Sequence, residues 1–150
     1  MKIEEEIQQK KFNSEYHKAH INVLFTAAWL SQQSMKLLKR YDISWQQFNI
    51  LRILRGLHPE PATVKLLTER MIDKMSNASR LVEKLMRKGL VERQTCPLDR
   101  RRVDVRITAR GLELINKATE LVEKDLEARM AVISEEEARA LNGLLDKLRG

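Results

Sequence analysis

A single cysteine, Cys96, stands in the 150-residue sequence, so no internal disulfide can form. The N-terminus joins no basic stretch to an apolar run and a small-residue cleavage site, and the expected compartment is a reducing cytoplasm. No stretch approaches the roughly 20 consecutive apolar residues of a membrane-spanning helix. The expectation is a soluble protein with no membrane partner. Ser-His-Asp and Cys-His arrangements are missing, as are a phosphate-cradling glycine loop and paired carboxylates framed by a pocket-forming fold. The sequence therefore predicts no enzyme, no catalytic residue and no cofactor. His17 and His20 lie three apart on one expected helix, but no nearby cysteine or third histidine completes a metal-binding set. No metal site is assigned.

What is present is charge, and its location matters more than its sum. The chain carries a net +7. Residues 61–108 hold 12 Lys and Arg against 6 Asp and Glu, which is +6, leaving 16 against 15, or +1, for the other 102 residues. Charge gathered into one third of a chain favours a polyanionic partner over a generally solvated surface. A chain of this length fits one domain, which buries about 70% of the surface its unfolded form exposes.

From Ile3 to about Arg40 there is no proline or glycine, and Phe12, Tyr16, Val23, Leu24, Ala27, Leu30, Leu37 and Leu38 recur at helical spacing. One long helix with a frayed start is predicted. Ser44-Trp-Gln-Gln47 reads as a capping box opening a second helix to about Leu57. Gly56, Pro59 and Pro61 mark the next boundary, and Thr63 caps a short third helix through Met71 whose inward face is Val64, Leu66 and Leu67. Ala78, Leu81, Val82, Leu85 and Met86 form the apolar stripe of a fourth helix over 74–88, with Asp73 as its expected cap and Gly89 as its stop. The period then changes to two. Leu90–Cys96 and Val103–Thr108 alternate apolar and polar residues around Pro97–Arg102, a β-hairpin with a basic tip. Thr108 caps a long helix to about Val132, and Ser134-Glu-Glu-Glu137 is a capping box for the last helix, to about Arg149. The fold class is mainly α with a small β-hairpin.

Two short helices followed by a hairpin is the layout that places the second helix in a DNA major groove. Opposite its apolar stripe the fourth helix carries Ser76, Arg80, Glu83, Lys84 and Arg87, with Asn77 beside it. Because such helices enter by their N-terminal ends, Ser76, Asn77 and Arg80 fall to base edges, and Lys84 and Arg87 to phosphates. Taken alone, Arg80 reads more readily as a solvated arginine, and it is the basic hairpin beside it that turns the reading toward DNA. Arg100, Arg101 and Arg102 repel one another unless an anion meets them, and a narrow minor groove supplies one. Asp99 is expected to hold one of these guanidinium groups in an extended geometry.

These residues carry a resemblance. Ser79-Arg-Leu-Val-Glu-Lys-Leu-Met-Arg-Lys-Gly-Leu-Val-Glu-Arg93 resembles the recognition helix and first wing strand of the MarR (multiple-antibiotic-resistance regulator) family of bacterial winged helix-turn-helix repressors. Asp99-Arg-Arg101, with Ile107-Thr108 and Gly111 downstream, is similar to its wing motif. The resemblance runs almost end to end and implies one MarR-like domain over 1–150, with 44–108 as the DNA-binding region and 1–40 and 109–150 as dimerisation helices. By the same resemblance Arg101 enters the minor groove, Asp99 supports it, and Arg100 and Arg102 flank it at phosphates; Arg102 occupies a place often apolar in relatives. The implied partners are double-stranded DNA, bound through helix 74–88 and wing 97–103, a second copy of the chain, and a small aromatic or phenolic effector. Trp29, Trp45, Tyr16, Tyr41 and His17 could line an effector crevice or simply be core, so no ligand site is assigned. Cys96 lies in the wing strand, not in the N-terminal helix where the family's peroxide-sensing cysteine lies, which argues against control by oxidation. The rival to a DNA-binding regulator is a winged-helix module that docks proteins. It requires an exposed apolar groove where this chain has Ser, Arg, Lys and Glu.

Overall fold

The computed structural model describes residues 1–150. In chain order it contains α1 (Ile3–Glu6), α2 (Glu15–Leu38) closed by a 3-10 turn (Lys39–Tyr41), α3 (Trp45–Leu57), β1 (Ala62–Thr63), α4 (Val64–Arg70), α5 (Ala78–Arg87), β2 (Val91–Cys96), β3 (Asp99–Ile107), α6 (Ala109–Met130) and α7 (Glu135–Arg149). The strands make one antiparallel sheet in the order β1-β3-β2. This is a winged helix set between long helices, the predicted class.

Most boundaries follow from side-chain caps. At the start of α3, Ser44 Oγ accepts from the Gln47 N–H at 3.1 Å while Gln47 Oε1 accepts from the Ser44 N–H at 2.9 Å. Ser134 and Glu137 exchange the same two bonds before α7. Thr63 and Thr108 cap α4 and α6 through Leu66 and Gly111. Each such cap satisfies one of the N–H groups that a helix start leaves without a partner.

Two expectations are corrected. The predicted N-terminal helix is two helices, because Ser14 stands extended and accepts from the His17 N–H at 3.1 Å, starting α2 afresh. A cap of this kind interrupts a helix without proline or glycine. The hairpin is joined by a third strand: the short β1 pairs Ala62 with Val105 and Thr63 with Asp104. The expected end of the second helix at Leu57 is the end of α3, with Gly56 inside its last turn.

The core of the winged domain is built on α3. Phe48, Ile50, Leu51 and Leu54 are buried together with Leu67 of α4, Val82 and Leu85 of α5, Val105 of β3, and Ile115 and Ala118 of α6. Each fully buried Leu, Ile or Phe contributes about 1.5–3 kcal/mol. The long helices behave differently. Among the 24 residues of α2 only Leu38 is buried, and α7 buries none. Val23, Leu24, Leu30 and Met35 of α2 and Leu141, Leu144 and Leu148 of α7 are exposed.

Gly111 fixes how α6 leaves the sheet. A Cβ at this position would lie 2.1 Å from the Leu90 carbonyl oxygen and 2.7 Å from Ile107 Cγ1. The Leu90 carbonyl also accepts from the Thr108 N–H at 3.1 Å, so it cannot yield without losing a bond. Gly111→Ala is expected to lower stability by about 3 kcal/mol, toward the top of the range for overpacking. Urea unfolding followed by far-UV circular dichroism checks this, and an unchanged midpoint would contradict the close approach.

Candidate nucleic-acid interface

The exposed face of α5 is set by its buried one. Ala78, Val82 and Leu85, at i, i+4 and i+7, are at most 3% exposed. Arg80, Glu83, Lys84 and Arg87 consequently point away from the core and are exposed. Neither Arg80, Lys84 nor Arg87 forms an ion pair with a protein carboxylate.

The helix begins later than predicted. Asn77 is its cap, its Oδ1 accepting from the Arg80 N–H at 3.0 Å. Asp73 stands one turn earlier and shapes the approach: its Oδ1 accepts from the Met75 N–H at 3.0 Å and its Oδ2 from the Gln46 amide at 3.4 Å. Three donors converge on this carboxylate. The Met75 N–H first, then the Ser76 hydroxyl and the Gln46 amide, hold its pKa below the usual carboxylate range. Residues 71–77 are thus a braced turn, and the expected helix over 74–88 is shortened to Ala78–Arg87. Asn77 keeps its amide NH2 free to donate, while its oxygen is committed to the cap.

Ser76, Asn77, Arg80 and Lys84 line one shallow depression with Gln46 and Asp73. Arg87 is not among them. It lines a larger cavity of about 830 Å³ between the end of α2 and α5, with Lys36, Lys39, Lys84 and Lys88. Lys88 closes one side, pairing with the Asp42 carboxylate at 3.4 Å and donating to the Asp42 carbonyl. None of the aromatic residues considered for an effector crevice lines this cavity. Trp45 stacks on Phe48 with ring centroids 5.4 Å apart, Trp29 lies under the Arg129 guanidinium, and Tyr16 is exposed. The charged residues that line the cavity are Lys36, Lys39, Asp42, Lys84, Arg87 and Lys88, and Met35, Ile43 and Leu81 supply its apolar wall.

The wing also departs in detail from its expected form. Cys96 pairs with Asp99, so the turn is Pro97-Leu98, and β3 already begins at Asp99. Thr95 pairs with Val103, which leaves Arg100, Arg101 and Arg102 as a bulge in β3. Asp99 does not hold a guanidinium; its Oδ1 accepts from the Arg101 backbone N–H at 2.9 Å. It braces the backbone that carries Arg101. Arg102 is tied to the protein, its Nε 3.0 Å from Asp104 Oδ1, a bond that raises its pKa. Arg100 and Arg101 have no such partner. A further depression joins wing to helix, lined by Asp99, Arg101 and Arg102 with Thr63, Lys65, Ser79 and Arg93. Lys65, Ser79 and Arg93 were not singled out from the sequence. The charges of Lys65 and Arg93 belong to the basic third, but only the strand pairing brings β1 and the start of α4, the start of α5 and the wing to one surface. Cys96 is free and half-buried. No group of three or more His, Cys, Asp and Glu side chains is arranged to hold a metal ion, and no helix is long and apolar enough to cross a membrane.

This arrangement is similar to that of known proteins. Residues 43–103 match the model of the MarR family. The chain is 26% identical over 116 residues to the HTH-type transcriptional repressor IacR of Pseudomonas putida, a match covering 77% of this chain and 68% of that protein. A crystal structure of a MarR transcription factor from Planctomyces limnophilus is 28% identical, with a TM-score of 0.69, covering 91% of this chain and 98% of that one. The S. aureus MepR–DNA complex shares the fold at 21% identity, with a TM-score of 0.77 and coverage of 92% and 97%.

The Asp73 brace has a pH signature. A depressed folded-state pKa contributes stability above the unfolded value of about 3.9, and that contribution is lost as pH falls through the lower folded value. Asp73→Ala is therefore expected to be less stable than the parent at pH 6, with the difference shrinking by pH 3. Urea midpoints at the two pH values measure it, and an equal gap at both would show that the carboxylate charge is not what braces the turn.

Proposed function

We propose that this chain, whose residues 43–103 match the model of the MarR family, is a sequence-specific regulator of transcription of that family, a repressor that binds a pseudo-palindromic operator as a homodimer. The observation that supports this most directly is the shared surface of α5 and the wing. Arg80, Lys84, Arg100 and Arg101 lie on exposed segments without a carboxylate partner, and an unpaired cationic surface of this kind suits a phosphate backbone. In this reading α5 enters the major groove, where Ser76 and Arg80 meet base edges and Asn77 contributes only its amide NH2. The β2–β3 wing follows the minor groove with Arg101. Lys65, Arg93 and Arg100 approach phosphates, and Arg102, held by Asp104, does so less directly. A cytoplasmic site of action goes with that partner. The protein-docking alternative is disfavoured by the outward face of α5, which offers charge where a docked peptide needs an apolar groove.

Homodimer formation is supported by the apolar faces of α2 and α7, which nothing in one chain covers. A second copy related by a two-fold axis covers both at once, and sets two α5 helices to meet half-sites about one DNA turn apart. The description of IacR as a repressor supports repression as the output.

Gel-shift titrations at two salt concentrations test the interface. Arg101→Ala is expected to weaken binding to every duplex and reduce the salt slope by about one, whereas Arg80→Ala costs about 1–3 kcal/mol and relaxes sequence preference. Both variants binding like the parent would remove these residues from the interface. Sedimentation equilibrium tests the assembly: twice the chain mass of 17.6 kDa is expected, falling to the single-chain mass for Leu144→Asp combined with Leu148→Asp. A parent protein sedimenting as one chain would refute the homodimer.

A further inference from the structure

The turn that leads into α5 carries two apolar side chains that the fold does not use. Ile72 is 70% exposed and Met75 is 94% exposed. Their exposure does not come from a loose loop. The Ile72 N–H donates to Asn49 Oδ1 at 2.8 Å, the Met75 N–H to Asp73 Oδ1 at 3.0 Å, and the Ser76 N–H to the Asp73 carbonyl at 3.2 Å. Asn49 and Gln46, both on α3, thus tie this turn to the core while its apolar side chains are left in water. Met75 immediately precedes Ser76 and Asn77, which line the depression with Arg80. It therefore stands at the groove-entering end of α5, beside the polar residues assigned to base edges.

Polar side chains cannot read everything a major groove displays. The C5-methyl group of thymine distinguishes an A·T pair only through apolar contact. Methionine suits that contact, being unbranched, polarizable and able to adjust to the surface it meets. We propose that Met75 is a specificity-determining residue that packs against a thymine C5-methyl group in each half-site. Ser76 and Arg80 then read hydrogen-bonding groups while Met75 selects for a methyl group one step away, so the preferred half-site carries a thymine that no polar contact demands. This rests on the reading that α5 enters the major groove.

The test separates the two claims. A duplex is selected from a random pool with the unaltered protein, and each thymine in it is replaced in turn by deoxyuridine, which removes the methyl group and leaves pairing intact. Burial of one methyl-sized group corresponds to about fourfold in affinity. At one thymine per half-site the parent is expected to lose about that factor. Met75→Ala is expected to bind the thymine duplex weaker by the same factor, to ignore the replacement at that position, and to keep the parent's response elsewhere and its salt slope. Met75→Leu restores the discrimination. Because Met75 touches no core residue, thermal melts of both variants should match the parent and exclude misfolding. If a duplex is bound with normal salt dependence but no thymine loses its methyl effect in Met75→Ala, the assignment of Met75 is overturned and DNA binding stands. If no duplex is bound in a salt-sensitive way, both fall together.

Discussion

The docking of α5 through Ala78, Val82 and Leu85 is the constraint on which the functional surface depends. These three side chains lie on one stripe and meet the buried face of α3, so the rotation of α5 about its axis is fixed by packing. Turning the helix by one residue in either sense would bury Glu83 or Lys84 in place of Val82 and Leu85, an exchange that costs an unpaired buried charge. The outward presentation of Arg80, Lys84 and Arg87 is therefore a consequence of the core, not of any contact they make. The position of α5 along its axis has a second set of causes. Asn77 satisfies an N–H of the first turn, and Asp73 gathers the preceding turn and ties it to Gln46 at the start of α3. Azimuth comes from apolar burial and the starting point from hydrogen bonds. Both originate on α3.

A different shortage governs the rest of the molecule. Helices of 24 and 15 residues that bury one residue and none cannot owe their stability to this chain alone, because isolated helices gain little from propensity and depend on packing. Their starts are capped locally, by Ser14 and by Ser134. What is missing is apolar cover. The winged domain is finished within one chain, while α2 and α7 on either side of it are not, and the proposed homodimer is a way to cover them.

How much of this the sequence disclosed depends on whether the signal was local. The capping boxes at Ser44 and Ser134, the threonine caps at Thr63 and Thr108, and the apolar stripe of α5 all act over four to eight residues, and each element they define is present. Two local signals point elsewhere than the structure. Nothing near Ser14 breaks a helix, yet its hydroxyl accepts from the His17 N–H and begins a new one. Asp73 resembles a cap in sequence, but both its oxygens are drawn into the turn before the helix and Asn77 caps it. The remaining gaps were non-local. The pairing of β1 with β3 follows from a register between residues some forty positions apart, and with it comes the grouping of Lys65, Ser79 and Arg93 beside the wing. The arginine bulge could not be read either, since alternation predicts which residues are strand-like but not that Thr95 and Cys96 face Val103 and Asp99 with three residues left over.

That bulge resolves an electrostatic difficulty in the wing. Three adjacent arginines on a regular strand would alternate faces, with Arg100 and Arg102 together on one side. Here Asp104 takes the charge of Arg102, and Asp99 spends its carboxylate on the backbone at Arg101 without neutralising its side chain. The wing thereby keeps Arg100 and Arg101 available and reduces the repulsion on them from their neighbour. Behind it, the second half of α5 faces a different set of charges. Lys84 borders both the depression with Arg80 and the cavity that Arg87 and Lys88 share with Lys36 and Lys39. Lys88 is bonded to Asp42, in the turn between α2 and α3, so the C-terminal end of α5 is fastened to the end of α2. The two ends of α5 thus lean on different parts of the fold: the turn before it is tied to Gln46 and Asn49 of α3, and Lys88 at its end is tied to Asp42 in the turn that follows α2.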